Sequence, residues 1–103
     1  MFYEIRTEHA RPGHGAELAR YLDETVIPLH QERGMRVTGS FTVAGEDTFV
    51  WIRRFEDDAD RERVLTAVHR HPRCAAMVDT VSALTGASAS TVRLEPTAGS
   101  MLR

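Results

Sequence analysis

The sequence predicts an α+β domain, a four-stranded antiparallel sheet with helices on one face. Three observations predict it. Short stretches of alternating polarity, rich in β-branched and aromatic residues, read as strands. Longer stretches between them space apolar residues three and four apart, the pattern of amphipathic helices. The third observation is the stretch Phe49–Asp57, FVWIRRFED, in which Phe49, Trp51 and Phe55 alternate with Val50 and Ile52. Successive strand side chains point to opposite faces, so both faces of this strand are largely apolar and need cover. Such a strand belongs in the middle of a sheet.

Each element follows from its own pattern. Phe2–Arg11 alternates Tyr3, Ile5 and Thr7 with Glu4, Arg6 and Glu8, a strand with one charged face. Arg11-Pro12-Gly13-His14-Gly15 is a turn by composition. Leu18, Leu22, Val26 and Leu29 define a helix from about His14 to Glu32. Pro28 falls inside it, where a missing backbone bond costs ~3 kcal/mol in a regular helix, so a kink is expected near Glu24–Ile27. Gly34 is a stop signal. Met35–Val43 is the second strand, with Met35, Val37, Phe41 and Val43 on one face. Ala44–Asp47 forms a hairpin connection into the central strand. The acid cluster Glu56, Asp57, Asp58 and Asp60 suits a helix start, where carboxylates meet free N–H groups. Val64, Leu65 and Val68 give that helix its apolar side. Pro72 marks a break. Cys74, Met77, Val78, Val81 and Leu84 form a further amphipathic helix closed by Gly86, and Ser88–Glu95 alternates as the last strand.

The order β-α-β-β-α-α-β is a split βαβ pattern, the ferredoxin-like plan with an extra helix. It places the first and third strands in the centre of the sheet. The faces are expected as follows. Tyr3 and Ile5, Val37 and Phe41, Trp51 and Phe55, Val92 and Leu94 meet the helices. Glu4, Arg6, Glu8, Arg36, Arg54, Arg93 and Glu95 lie opposite, around Val50 and Ile52. An open sheet could simply leave this face to solvent; mixed charges around an apolar centre suit an isologous contact better, so a homodimer through the sheet face is expected.

Composition narrows the function. At 103 residues the chain is one domain, since domains typically hold roughly 100–150 residues. Residues 1–96 form that domain and 97–103 a loose tail. The net charge of −2 and the lack of a basic stripe make nucleic acid an unlikely partner. All 13 basic residues are arginine, so no lysine is present for Schiff-base chemistry. Cys74 is the only cysteine, which excludes an intrachain disulfide and argues against a thiolate metal cluster. No apolar run fits a signal peptide or membrane span, so a cytoplasmic location is expected.

Several stretches together resemble NIPSNAP-like domains. They are the opening Phe2-Tyr3-Glu4-Ile5-Arg6-Thr7, the turn Arg11-Pro12-Gly13, the segment Ile27-Pro28-Leu29, and Trp51-Ile52-Arg53-Arg54-Phe55-Glu56-Asp57 followed by Arg61-Glu62. The resemblance spans the chain up to about Pro96. Trp51 and Arg53 depart from it, standing where the family usually has histidine and tryptophan. What the resemblance implies is a dimeric α/β barrel, two ferredoxin-like subunits joined through their sheets. The wider superfamily includes cofactor-free monooxygenases acting on phenols, haem-degrading enzymes, polyketide cyclases and lactone isomerases, while NIPSNAP-like domains mostly lack an assigned activity.

The candidate site is a cavity between sheet and helices. Trp51, Arg53 and Phe55 are expected to border it from the sheet, with Tyr3, Phe41, Tyr21 and Met77 completing the wall. An aromatic pocket with one cation suits a small aromatic or acidic ligand. A buried arginine needs a partner, from Glu32, another carboxylate or a ligand. His71, beside Pro72 at the helix break, is the candidate general acid or base, with Arg53 as its catalytic companion. His69-Arg70-His71 lacks the spacing of metal ligands on a helix face, and no metal or other cofactor is expected. Two functions follow. One is a small-molecule-binding dimer acting as a cofactor-free oxygenase, cyclase or isomerase on an aromatic or polyketide-like substrate. The other is a non-catalytic binding or assembly module, and a haem role is a weaker third.

Overall fold

The computed structural model describes residues 1–103. Strand β1 (Phe2–Ala10) leads into a continuous helical run of α1 (Gly15–Tyr21), a π-helical turn (Leu22–Val26) and α2 (Ile27–Glu32). Strands β2 (Arg36–Thr42) and β3 (Thr48–Phe55) form a hairpin, followed by helices α3 (Asp58–His69) and α4 (Cys74–Leu84) and strand β4 (Thr85–Leu94). The sheet order is β2-β3-β1-β4, all pairs antiparallel, with β1 and β3 central as expected. No helix is long and apolar enough to cross a membrane.

Local chemistry explains the element boundaries. Pro28 has no N–H to offer the carbonyl four residues back. The helix absorbs this not as an open kink but as the π-helical turn, where the Ile27 N–H reaches back five residues to Leu22 O. Helix α1 is capped from across the chain, because the Asp47 carboxylate accepts from Gly13 N–H at 2.9 Å and Gly15 N–H at 3.1 Å. The acid cluster before α3 caps it as expected, with Asp57 accepting from Asp60 N–H at 2.7 Å. Strand β4 starts directly after α4, so Gly86 lies within the strand rather than closing the helix.

The core lies between the sheet and the helices. Phe2, Trp51 and Phe55 from the sheet pack with Leu18, Leu22, Leu29, Val64 and Val68 from the helices. The two sheet faces are not the expected ones. In the β1–β3 ladder Phe2 pairs with Phe55, Glu4 with Arg53 and Arg6 with Trp51. The charged set of β1 therefore shares the face of Trp51 and turns toward the helices, where Glu4 and Glu8 are 5 % and 3 % exposed. Tyr3, Ile5 and Thr7 lie on the other face, opposite Arg54, Ile52 and Val50. Strand β4 follows β1, so Val92 and Leu94 pair with Ile5 and Tyr3 on that same outer face.

The physical reason is that alternation states which residues share a face but not which face is inside. Here complementarity decides, because each inward carboxylate of β1 meets an inward arginine. In β2 the alternation itself fails. A bulge between Val37 and Gly39 shifts the register, so Val37 faces the helices while Phe41, paired with Val50, points outward and is 55 % exposed. Its ring lies over Gly39, where an added Cβ would meet the Phe41 ring at 2.8 Å. Glycine lets the ring sit there.

The outer face therefore has an apolar centre of Ile5, Val50 and Ile52, half-buried, ringed by exposed Phe41, Val92 and Leu94 and by Arg36 and Arg54.

Candidate functional site

Between the inner sheet face and the helices opens a cleft of about 770 Å3. Its floor is Arg6, Glu8, Trp51 and Arg53 from the two central strands. Leu22, Val26 and His30 wall it from the first helical run, and Val68, Met77 and Val81 from α3 and α4. The volume lies within the ~300–1,000 Å3 typical of small-molecule sites.

Arg53 on the floor is 4 % exposed and paired with a carboxylate. Its Nε and Nη2 donate to Glu4 Oε1 at 3.1 and 2.8 Å. Arg61 of α3 donates from Nε to Glu4 Oε2 at 2.7 Å, so one buried carboxylate serves two guanidinium groups. Burial pushes the Arg53 pKa down, and the hydrogen bonds and charge of Glu4 oppose that shift. The Arg53 guanidinium also stacks toward Trp51, with Cζ 5.1 Å from the ring centroid. A second ion pair lies beside it, Arg6 Nε donating to Glu8 Oε1 at 3.0 Å.

His30 is positioned by the distorted helix. Its Nδ1 lies 2.7 Å from Val26 O. A carbonyl oxygen only accepts, so Nδ1 carries the hydrogen. Burial lowers the His30 pKa, the bond to Val26 opposes this, and the charges of Arg53 and Arg6 add to the lowering. The lowering favours the neutral ring, in which Nε2 is the acceptor. The ring meets Trp51 edge-on, centroids 5.3 Å apart.

Two further polar atoms of cleft-lining residues are buried and unpaired, the donor Trp51 Nε1 and the acceptor Glu8 Oε2. An unpaired buried polar atom costs about 1–3 kcal/mol. Both atoms belong to residues that line the cleft.

Three of the residues expected at the site line this cleft: Trp51, Arg53 and Met77. The others do not. Tyr3 and Phe41 point from the outer sheet face, for the register reasons given above. Phe55 packs on Phe2, ring centroids 5.5 Å apart, and Tyr21 packs against the core. His71 is buried at the α3–α4 break, where its Nδ1 accepts from Arg73 N–H at 3.0 Å and its Nε2 lies 3.4 Å from Glu32. It holds the break together and does not border the cleft. Of the partners expected for Arg53, which were Glu32, another carboxylate or a ligand, the structure provides another carboxylate, Glu4.

Sequence reasoning placed Glu4 and Glu8 on the wrong side and left His30 out of the candidate site. The opposite charges of Glu4 and Arg53, cross-strand partners on β1 and β3, were the available signal for Glu4.

A family model for NIPSNAP matches residues 3–100. The chain belongs to the NIPSNAP family. No curated protein matches it. Solved structures do. A NIPSNAP family protein from Agrobacterium tumefaciens superposes with a TM-score of 0.90 at 21% identity, covering 99% of this chain and 98% of that one. An uncharacterized NIPSNAP domain protein from Burkholderia xenovorans gives 0.87 at 18% identity, covering 97% and 98%. A structure described as an antibiotic biosynthesis monooxygenase gives 0.70 at 17% identity, covering 94% and 99%. At these identities the likeness is one of fold, the ferredoxin-like plan shared by NIPSNAP chains and the monooxygenase.

Proposed function

We propose that this NIPSNAP chain is a homodimer, joined through its outer sheet face, that binds a small aromatic or polyketide-like molecule in the cleft. The activity class that fits is oxygenase, cyclase or isomerase chemistry resting on proton movement among the protein's own side chains. The observation that carries the reading is a cleft of ligand size whose apolar walls surround unpaired buried polar atoms. The described resemblance in fold to an antibiotic biosynthesis monooxygenase is consistent with it.

The dimer part rests on the outer face. Ile5, Val50 and Ile52 at its centre have no helix over them, and a second copy would cover them across an isologous contact rimmed by Arg36 and Arg54. Sedimentation equilibrium at micromolar concentration should give twice the chain mass. Ile52→Asp places two like charges near the dyad and should give a folded monomer by circular dichroism. A wild-type protein that sediments as one copy refutes the dimer.

The ligand part is tested by thermal shift against a panel of planar phenols and hydroxyketones. A rise in melting temperature is expected for part of the panel, and a flat response across it would remove the ligand. A second reading, an assembly module without a ligand, is favoured by one observation: Arg53 finds its partner within the chain, in Glu4. A dry, filled core would complete that reading, and the open cleft speaks against it.

A further inference from the structure

We propose that Glu8, Trp51 and His30 form a recognition site for a neutral ligand bearing a hydroxyl group, and that Glu8 excludes carboxylate ligands from it. The inference rests on the reading of the cleft as a small-molecule site and says which molecules it takes.

The chemistry of the three groups is complementary to a hydroxyl. Trp51 Nε1 can only donate, and Glu8 Oε2 can only accept when ionised. In the neutral ring His30 Nε2 accepts, because Nδ1 spends the single hydrogen on Val26 O. Trp51 and Glu8 are 1 % and 3 % exposed, and neither of these atoms has a partner. A hydroxyl oxygen both accepts and donates. One such group can take the Trp51 N–H and give its own hydrogen to Glu8 or His30. A ligand carbonyl or ether would satisfy Trp51 alone and leave the acceptors unpaired.

The charges point the same way. The cations on the cleft floor are already engaged. Arg53 is held by Glu4 through two hydrogen bonds, and Arg6 by Glu8 at 3.0 Å. Arg61 shares Glu4 at 2.7 Å. A ligand carboxylate at the Trp51 donor would meet the free oxygen of the buried Glu8 carboxylate, beside arginines each already hydrogen-bonded to Glu4 or Glu8. Like charges brought together in a buried site repel more strongly than in water. This reverses the expectation of an acidic ligand drawn from Arg53 alone.

The test compares 2-naphthol, 2-methoxynaphthalene and 2-naphthoate, which share a ring and differ in one polar group. Trp51 is the only tryptophan, so a 15N-labelled protein shows a single indole N–H resonance that reports on the site directly. Titration with 2-naphthol should move that resonance downfield and yield a dissociation constant at least about tenfold lower than for 2-methoxynaphthalene, since a site built for a hydroxyl strands its polar groups when the hydroxyl is missing. Binding of 2-naphthoate should be weaker by a similar factor or more. In Glu8→Gln the carboxylate penalty should shrink, so the ratio of 2-naphthoate to 2-naphthol affinity rises about tenfold or more. Trp51→Phe should lose the preference for 2-naphthol over the ether while still binding the ring.

Equal affinity for the three probes, or an unchanged ratio in a Glu8→Gln protein with a wild-type melting curve, overturns the hydroxyl assignment and leaves the cleft as a ligand site. Absence of binding by all three, with the indole resonance unmoved, overturns both. Should Trp51→Phe fail to fold, Glu8→Gln decides alone.

Discussion

Glu4→Leu is the substitution that tests the inner sheet face most directly. Glu4 accepts three charge-assisted hydrogen bonds, two from Arg53 and one from Arg61, at 2.7 to 3.1 Å. Leucine keeps the bulk and removes both oxygens. Arg53, 4 % exposed, is then a buried charge without a carboxylate. Removing one partner of such a pair costs about 3–5 kcal/mol. Arg61 adds little, since it is more than a third exposed and can rehydrate. A domain of this size has only about 5–15 kcal/mol of stability in total. At about 4–8 °C per kcal/mol the melting temperature should fall by about 12 °C or more. Urea denaturation gives the free energy directly, with the m-value held against wild type to confirm a two-state loss.

The paired variant sharpens the test. Glu4→Leu with Arg53→Met replaces the ion pair by apolar side chains and removes the stranded charge. Well-packed apolar replacements of buried pairs are often neutral or better. The double variant should recover at least half of the loss, which appears as a coupling energy of about 2 kcal/mol or more in the cycle. A Glu4→Leu cost below about 1 kcal/mol would show that Glu4 sits in water on an open face. A double variant no more stable than the single one would show that Arg53 does not need Glu4. Either result refutes the burial of the pair.

Two further predictions concern the frame of the cleft. Burial holds the His30 pKa below its ordinary value, so the unfolded chain binds a proton that the folded chain refuses. The stability His30 contributes is present above the unfolded pKa of about 6.5 and is lost as pH falls through that value toward the lower folded one. Chemical denaturation at pH 7.5 and 5.5 should therefore show a smaller acid loss for His30→Phe than for wild type, and equal losses would contradict the placement of His30. Asp47→Ala removes the acceptor for Gly13 and Gly15 N–H and should cost about 1–2 kcal/mol, measured by urea denaturation, with Asp47→Asn milder because its carbonyl oxygen still accepts.

How much was legible in the sequence differs between elements and faces. Alternation and helical spacing recovered the strands and helices, because those patterns are local, and the order of the elements then led to the sheet order. The acid cluster ahead of α3 read as a cap and is one, for the same reason. The face assignment failed where the deciding contact is nonlocal. Nothing within Phe2–Ala10 says whether Glu4 or Tyr3 points inward. Glu4 pairs with Arg53, 49 residues away, and only the β1–β3 register fixes that. In β2 a single bulge at Gly39 moved Phe41 to the outer face. An interrupted alternation of that kind leaves no mark in composition beyond one glycine.

The candidate site shows the same division in a stronger form. Trp51, Arg53 and Met77 were found because β3 and α4 carry their periodicity plainly. Glu8 and His30 were missed because each gains its meaning from a neighbour. Glu8 reads as a surface acid until its strand is seen to face Trp51. His30 reads as the polar end of a helix until Pro28 forces the turn before it to widen and Val26 O takes the ring hydrogen. The π-helical turn, imposed by one proline, thus connects local sequence to site chemistry. It closes on Ile27, and from the next turn His30 reaches back to Val26 and packs nearly perpendicular to the Trp51 ring. A ferredoxin-like fold needs neither a charged inner strand nor a proline-widened helix. That this chain carries both, on the two walls of one cleft, is the physical reason to look for its function there.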